Sequence, residues 1–288
     1  MNRKPIFIAI LVLALVSMAC GINIDLPEEV KTGPTQTDEI NVPSPEDTQV
    51  VTDLKFSFAG GELALSPGAE ELLVSGTAAY NVTDFKPEVT TSGNTVRITQ
   101  GDLNMRGIPN FKDTVINEWD LQLGNMPMDL RIQAGAYSGD FEFGGLSLER
   151  LSIADGASDV NLSFSEPNQT EMSLFEYNTG ASTVRIDGLA NANIDTMTFR
   201  AGAGSYTLDF SGELQRDMTV DIESGMSTIT IIIPEGFSAR LEFDGGLSNV
   251  SAGGEWEENG TSYTLDGSGP TIKIIVTMAA GNLTLITK

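Results

Sequence analysis

A glycine that recurs at nearly regular intervals constrains the fold of this chain more than any other feature. An alanine, methionine or leucine follows each glycine, and apolar residues stand four and six positions after it, with Gly139 and Ala252 as exceptions. The alternation of apolar and polar residues is typical of strands with one buried face. The units begin at Gly135, Gly156, Gly180, Gly202, Gly225 and Gly246.

This repeat predicts an all-β fold, a stacked-strand β-solenoid with rungs of about 22 residues. A unit of this length holds two short strands with their turns, and it is too small to bury its own apolar face. Stacking the units buries those faces in one continuous core. We expect each glycine to supply a positive φ at a corner of its rung. A β-sandwich whose strands recur at turn spacing is the alternative.

The two ends of the β region resemble each other. Residues 59–65 and 279–285 match position by position in residue type. The first copy is separated from the repeat array by the less regular stretch 66–127. We therefore expect residues 51–127 to form an N-terminal β region and residues 128–288 to form the solenoid.

An insertion at residues 254–265 interrupts the repeat and predicts a hairpin. Asn259-Gly260 is the strongest two-residue hairpin signal, and pairing outward from it places Trp256 opposite Tyr263. A solenoid has open ends that must be protected from edge-to-edge association. We expect the hairpin to cap one end. The alternative is that Trp256 and Tyr263 contact a partner or stack on a ligand.

Residues 1–20 predict an export signal that ends at a lipidated cysteine. Arg3 and Lys4 precede an apolar run at residues 6–16, which is too short to span a hydrocarbon core of about 30 Å. Cys20, the single cysteine, follows at the position where bacterial lipoproteins carry their lipidated residue. We expect Cys20 to anchor the chain to the membrane. An ordinary cleaved signal with an incidental cysteine is the alternative.

Residues 21–50 predict a disordered acidic tether between the anchor and the β region. They contain four prolines and seven acidic residues against one lysine. Such a composition supplies too little apolar surface to offset the entropy lost on ordering. The tether would lift the folded part away from the membrane.

The composition excludes several classes of function. The chain has 40 acidic and 16 basic residues, a net charge of −24 and no histidine. A nucleic acid is not an expected partner, because the charge repels phosphate backbones. Without histidine there is no Ser-His or Cys-His catalytic pair, and one cysteine forms no internal disulfide. No catalytic or calcium-binding motif is present, so we expect no enzyme activity, cofactor or metal.

Several segments resemble the toast-rack proteins of the cell envelope. Residues 117–123, which contain Trp119, precede Pro127-Met128-Asp129-Leu130 and the turn Gly135-Ala136 in the order seen in that family. The segment from Trp256 to Tyr263 and the strand after it resemble the C-terminal domain of cell-wall-active-antibiotic response proteins and related adhesin β domains. The resemblance covers most of residues 52–288. It implies an all-β stacked fold and an envelope location, and it supplies no catalytic residues.

We therefore expect a non-catalytic, lipid-anchored surface module that binds an envelope protein or wall glycan, outside the cytoplasm. The resemblance also implies an alternative, an accessory or regulator of cell-envelope stress signalling. The family's regulators usually carry transmembrane helices ahead of the β domain, and a lipoprotein-type signal stands in their place here. A third alternative is a carbohydrate-active enzyme, because acidic side chains along a flat sheet are the usual catalytic groups of such enzymes.

Overall fold

The computed structural model describes residues 31–45, 50–101 and 114–288. These residues form one sheet of 15 strands and a 3-10 turn at Thr83–Phe85, with no α-helix among them. The all-β stacked-strand prediction is thereby confirmed, and the described residues do not form the two sheets of a sandwich. The strands are β1 Gln36–Pro43, β2 Thr52–Pro67, β3 Leu72–Tyr80, β4 Pro87–Ser92, β5 Thr95–Gln100, β6 Asn117–Leu123, β7 Met128–Glu142, β8 Leu148–Ser163, β9 Met172–Asp187, β10 Ile194–Asp209, β11 Met218–Ile233, β12 Ser238–Ala252, β13 Glu257–Asn259, β14 Ser262–Leu265 and β15 Thr271–Thr287.

Long parallel strands form the stack in the order β2, β7, β8, β9, β10, β11, β15, β12. Each is one continuous strand rather than the two short strands expected, and a corner divides it into a first arm and a second arm. In β8, Leu151 and Ile153 are buried before Gly156, and Val160 and Leu162 are buried after it. Every second residue is buried in each arm, and the buried positions change from odd to even residue numbers across the glycine. Both arms therefore direct apolar side chains to the same core.

The repeat units align from strand to strand as the sequence indicates. Val160 lies opposite Val184 of β9, which in turn lies opposite Tyr206 of β10. The exception at Gly139 has a steric reason. A Cβ there would lie 2.9 Å from the ring of Tyr137 and 3.0 Å from the ring of Phe141, so these rings fill the slot.

The corner glycines are required for a reason different from the one predicted. None of the six that begin the repeat units has a positive φ. A Cβ on Gly180 would lie 2.4 Å from the carbonyl oxygen of Gly156, and one on Gly202 would lie 2.4 Å from the carbonyl oxygen of Gly180. At Gly135, Gly180, Gly202 and Gly225 the backbone of one strand thus occupies the space that a side chain on the next would need, whereas a Cβ on Gly156 or Gly246 would lie 3.1 Å from its nearest carbonyl oxygen.

The order of the last two long strands differs from their order in the sequence. The predicted sixth unit, at Gly246, belongs to β12, but β15 lies between β11 and β12. In the second arm, β15 has Leu283 and Leu285 at the core-facing positions where β12 has the smaller Val250 and Ala252. The more apolar strand occupies the interior position because it gains more from burial there.

The first copy of the repeated end sequence, residues 59–65, is not separated from the stacked strands. β2 stacks directly on β7, with Gly60 opposite Ala136. The strands on either side of the boundary expected between residues 127 and 128 therefore belong to the same sheet. β6 and β3 continue the sheet beyond the second arm of β2, and β5 and β4 continue it beyond the first arm.

The prediction of a disordered tether over residues 21–50 is wrong for residues 36–43. This segment forms β1, which pairs antiparallel with β3. Ile40 and Val42 are 3% and 2% exposed and join the core, because they alternate with polar neighbours on one face of the strand. The prediction used the composition of the whole segment, which is acidic and rich in proline, and therefore missed this short run of alternating apolar and polar residues.

Candidate functional site

A groove of about 890 Å³ crosses the stack beside the corner, from β8 to β12. Five of the six strands have glycine at the corner position and β15 has Ala279, so no bulky side chain fills the corner and most residues just before it remain accessible. The groove crosses six neighbouring strands spaced about 4.8 Å apart, which gives it a length of roughly 24 Å. Its lining residues are Ala154, Asp155, Asn178, Thr179, Arg200, Ala201, Glu223, Ser224, Asp244, Gly246, Thr277, Met278 and Ala279.

Both polar and apolar groups face the groove. Arg200 Nε lies 3.5 Å from Glu223 Oε2, so these two charges neutralise each other across β10 and β11. Asp244 forms no ion pair with any described residue. Amide and hydroxyl groups at Asn178 and Thr277 alternate with small apolar side chains. The groove therefore offers hydrogen-bonding groups at the strand spacing and a mildly negative charge.

The carboxylate of Asp155 lies in a cluster of hydroxyl groups at the β8 end of the groove. Its Oδ2 accepts hydrogen bonds from the hydroxyls of Tyr177 at 3.0 Å and Tyr137 at 3.3 Å. Its Oδ1 accepts one from Thr179 at 2.5 Å, and the hydroxyl of Ser182 lies 3.5 Å away. These partners come from β7 and β9, on either side of β8, so the cluster ties three strands together.

The tyrosines near Asp155 stay protonated at physiological pH. Burial raises the pKa of Tyr137 and Tyr177 far above the ordinary value of 10.0, and the negative charge of Asp155 adds to the shift. Burial, followed by the charge of Asp155, raises the pKa of Tyr206 to about 12. Protonated hydroxyls are hydrogen-bond donors, so those of Tyr137 and Tyr177 satisfy Asp155. The arrangement stabilises the corner of β8 against its two neighbouring strands.

An exposed apolar row runs along the corner beside the groove. Met226 is 70% exposed and Leu247 is 86% exposed, and Ala280 lies between them in the register of β11, β15 and β12. The same row carries only alanine from β7 to β10. We call this the corner row; its members are Ala136, Ala157, Ala181, Ala203, Met226, Ala280 and Leu247.

The hairpin forms, but its register differs from the prediction. Asn259 pairs with Ser262, and Glu258, rather than Trp256, lies opposite Tyr263. The turn residues are therefore Gly260 and Thr261, with a positive φ at Gly260. Trp256 and Tyr263 are 9% and 5% exposed and belong to the main core. This burial supports the cap, and the partner-contact role of the two rings stays a prediction.

The structure brings together residues that the sequence did not group into one site. The groove residues include those one or two positions before the corner glycines of β8, β9, β10, β11 and β12, for example Thr179 before Gly180 and Ala201 before Gly202. Their fixed distance from the repeated glycine was the available signal. Cys20 lies outside the described residues, and its lipidation stays a prediction.

No group of three or more acidic, cysteine or histidine residues within the described ranges could hold a metal ion. In the same part of the chain, no helix has the length and apolar character that crossing a membrane requires.

Comparison with solved structures finds similar chains in three bacteria. A proposed cell adhesion protein from Clostridium sporogenes is 19% identical and has a TM-score of 0.48, and the match covers 88% of this chain and all of the other. A proposed adhesin from Bacteroides fragilis is 10% identical, with a TM-score of 0.37 and coverage of 90% and 100%. A proposed lipid binding protein from Parabacteroides distasonis is 8% identical, with a TM-score of 0.41 and coverage of 90% and 99%.

Sequence comparison gives a more specific result. No curated protein sequence matches this chain. One family model does match: it is described as the N-terminal domain of toast_rack, DUF2154, and it covers residues 31–187 and 167–232. The two matches overlap and together span more than half of the chain.

Proposed function

The chain belongs to the toast-rack family, and from this premise we propose that it is a non-catalytic binding and display module of the bacterial cell surface. In this proposal a lipid on Cys20 anchors the chain, and the stack presents its groove to a partner in the envelope. The family membership supports the envelope location. The observation that carries the binding role is the groove that crosses β8 to β12 beside the exposed corner row.

The ligand class we propose is a linear wall glycan. Sugar rings combine hydroxyl groups with apolar faces, and the groove combines amides and hydroxyls with small apolar side chains such as Ala201 and Ala279. The sugar repeat of a linear glycan is close to the strand spacing of about 4.8 Å, so successive sugars would meet equivalent positions on successive strands. An extended groove of this kind holds a polymer better than a compact small molecule.

The environment of the groove carboxylates supports a role without catalysis. Glycoside hydrolysis needs two carboxyl groups that face each other across the scissile bond. Asp155 is held by neighbouring hydroxyls, and Glu223 is paired with Arg200. Release of reducing ends from wall polysaccharide by the purified protein would contradict this part of the proposal.

The groove is tested by filling it with a large side chain. Thr277 is exposed and lines the groove, so Thr277→Trp should reduce cosedimentation with purified cell-wall polysaccharide by roughly tenfold. Thr219→Trp is the matched control, because Thr219 is an exposed strand residue that does not line the groove. Equal retention of both variants, or no retention of the unchanged protein, would refute glycan binding in the groove.

The regulatory alternative makes a different prediction in cells. Crosslinking in intact cells, followed by mass spectrometry, should recover wall glycan if the groove binds it. Capture of a membrane sensor, together with an altered response to wall antibiotics on deletion of the gene, would favour a role in envelope stress signalling.

A further inference from the structure

The sheet has four outer edges among the described residues, and they differ in how they are protected. β4 and β1 form the edges of the first and second arms at one end of the stack, and β13 and the second arm of β12 form them at the other end. An edge strand presents unpaired backbone groups that can pair with another chain, and proteins usually block this with charges or proline.

Three of these edges carry such protection. β4 contains Pro87 and Glu88, β1 contains Asp38, Glu39 and Pro43, and β13 is mostly glutamate. The second arm of β12, residues 247–252, reads Leu-Ser-Asn-Val-Ser-Ala and contains neither a charged residue nor a proline. In a chain with a net charge of −24, this uncharged edge is an exception.

The backbone of this edge is unpaired on its outer side. β12 pairs along its whole length with β15, but β14 covers only residues 239–242, and the last contact on that side is the hydrogen bond from the Phe243 amide to the Thr261 carbonyl, at 2.9 Å. Beyond this point no described strand lies next to β12. The edge therefore exposes one side of the backbone over the whole of residues 247–252.

The side chains of the edge are arranged like those of a strand inside the stack, which has a neighbour on both sides. Val250 occupies the apolar slot of the repeat and packs against the core, yet it remains partly exposed because no further strand covers it. The hydroxyl of Ser248 is buried without a hydrogen-bond partner. An added strand would cover Val250 and extend the core by one rung.

The charges at the ends of the edge decide what kind of strand fits. Asp244 precedes the edge and Glu255 follows it, and both are exposed. Antiparallel pairing of two copies centred on Asn249 and Val250 would bring Asp244 of one copy toward Glu255 of the other, just outside the paired residues, because β12 ends at Ala252 and the chain turns at Gly254. Like charges brought together across an interface oppose association. A second copy is therefore a poor occupant, and a strand with basic ends is a good one.

We propose that the second arm of β12 binds an extended segment of another protein by strand addition, and that this segment is uncharged in its middle and basic at both ends. Backbone hydrogen bonds to residues 247–252 supply the affinity, and the basic ends pair with Asp244 and Glu255. The edge lies next to the glycan groove, which Asp244 and Gly246 of β12 also line, but the backbone of residues 247–252 is outside the groove, and the two proposals are tested with different ligands.

The test uses the purified full-length protein and three synthetic peptides. The first alternates valine and threonine over six residues between two terminal lysines. The second is identical but N-methylated on alternate backbone amides, and the third has glutamates in place of the lysines. We expect the first peptide to bind in a calorimetric titration, and the N-methylated peptide not to bind, because it cannot donate the ladder hydrogen bonds. We expect the glutamate-ended peptide to bind more weakly than the first.

Two pairs of substitutions locate the binding site. The double substitution Asp244→Asn with Glu255→Gln should lower the affinity of the protein for the lysine-ended peptide about fivefold at low salt. Asp140→Asn with Asp159→Asn removes the same charge from β7 and β8, far from the edge, and should change its affinity little. Failure of the first peptide to bind, equal binding of its N-methylated form, or equal effects of the two substitution pairs would overturn the proposal. Dimerisation of the protein through β12, seen by sedimentation, would also overturn it.

Discussion

The side-chain amide of Asn168 hydrogen-bonds both backbone groups of Leu148, the first residue of β8. Its Oδ1 accepts from the Leu148 amide at 2.9 Å, and its Nδ2 donates to the Leu148 carbonyl at 2.8 Å. Asn168 is 3% exposed. Its side-chain amide makes the two backbone hydrogen bonds that a neighbouring strand would otherwise make to Leu148, and it comes from the connection between β8 and β9.

Replacing this amide should destabilise the fold. Asn168→Ala leaves the buried amide of Leu148 without its acceptor, and we expect a loss of about 2–3 kcal/mol in the free energy of unfolding. Urea denaturation followed by circular dichroism measures this value. Asn161→Ala, at an exposed position of β8, is the control and should cost less than about 0.5 kcal/mol. Equal losses would show that the Asn168 hydrogen bonds contribute little.

The corner glycine Gly180 should resist even the smallest side chain. Gly180→Ala places a Cβ 2.4 Å from a backbone carbonyl oxygen, so the strands must separate locally, at a cost of about 1–3 kcal/mol. Gly253→Ala is the matched control, because its nearest contact would be 3.7 Å and its φ is not positive. Thermal denaturation of both variants checks the prediction, and similar melting temperatures would contradict it.

The stability of the protein should depend on pH through Glu142. Burial alone raises the pKa of Glu142, but hydrogen bonds from Ser163, Ser165 and Gly144 outweigh it, and the net shift is downward. A lowered folded-state pKa adds stability above the unfolded value of about 4.3, and this is lost as the pH falls through the folded-state pKa. We expect Glu142→Gln to destabilise the protein at pH 7 and to cost progressively less as the pH falls from about 5 to 3.

Urea denaturation at a series of pH values measures this dependence. Glu149→Gln removes a carboxylate from the neighbouring strand β8 and is the control. A destabilisation by Glu142→Gln that stays constant over this pH range would mean that the hydrogen bonds do not favour the charged form.

The hairpin aromatics should stabilise the end of the stack. Trp256→Ala removes a nearly buried ring from the core, and we expect a loss of about 3 kcal/mol with unchanged retention on wall polysaccharide. Tyr263→Phe keeps the ring and should cost less than about 1.5 kcal/mol. Loss of ligand binding by Trp256→Ala without loss of stability would instead support the partner-contact role.

Lipidation of Cys20 is tested in cells. Cys20→Ala removes the sulfur that would carry the lipid, so we expect the protein to move from the membrane fraction to the soluble fraction. Ser17→Ala, in the same segment, is the control and should leave the protein with the membrane. An unchanged distribution of Cys20→Ala would mean that another contact holds the protein there.

The periodic features of the sequence predicted the corresponding parts of the fold. The slots that hold Val160, Val184 and Tyr206 were placed correctly, because each lies at a fixed distance from its glycine. Predictions that used composition or one local motif did less well. β1 lies within an acidic segment, and the hairpin has a different register, in which β14 pairs with both β13 and β12.

The groove and the open edge could not be predicted from these patterns. Asp155, Arg200 and Asp244 are distant from one another in the sequence, and they share a groove only because the strands stack in one register. The uncharged run at residues 247–252 became an open edge only when β15 took the interior position and left β12 outside.

By itself, the sequence determined the repeat length, the buried face of each rung and the stacked β architecture, because stacking is the arrangement that buries a periodic apolar face along its whole length. Only the tertiary structure decided the order of the last strands, the reason for the corner glycines and the location of the groove. These depend on the competition among strands for interior positions and on close backbone contacts between residues distant in the sequence.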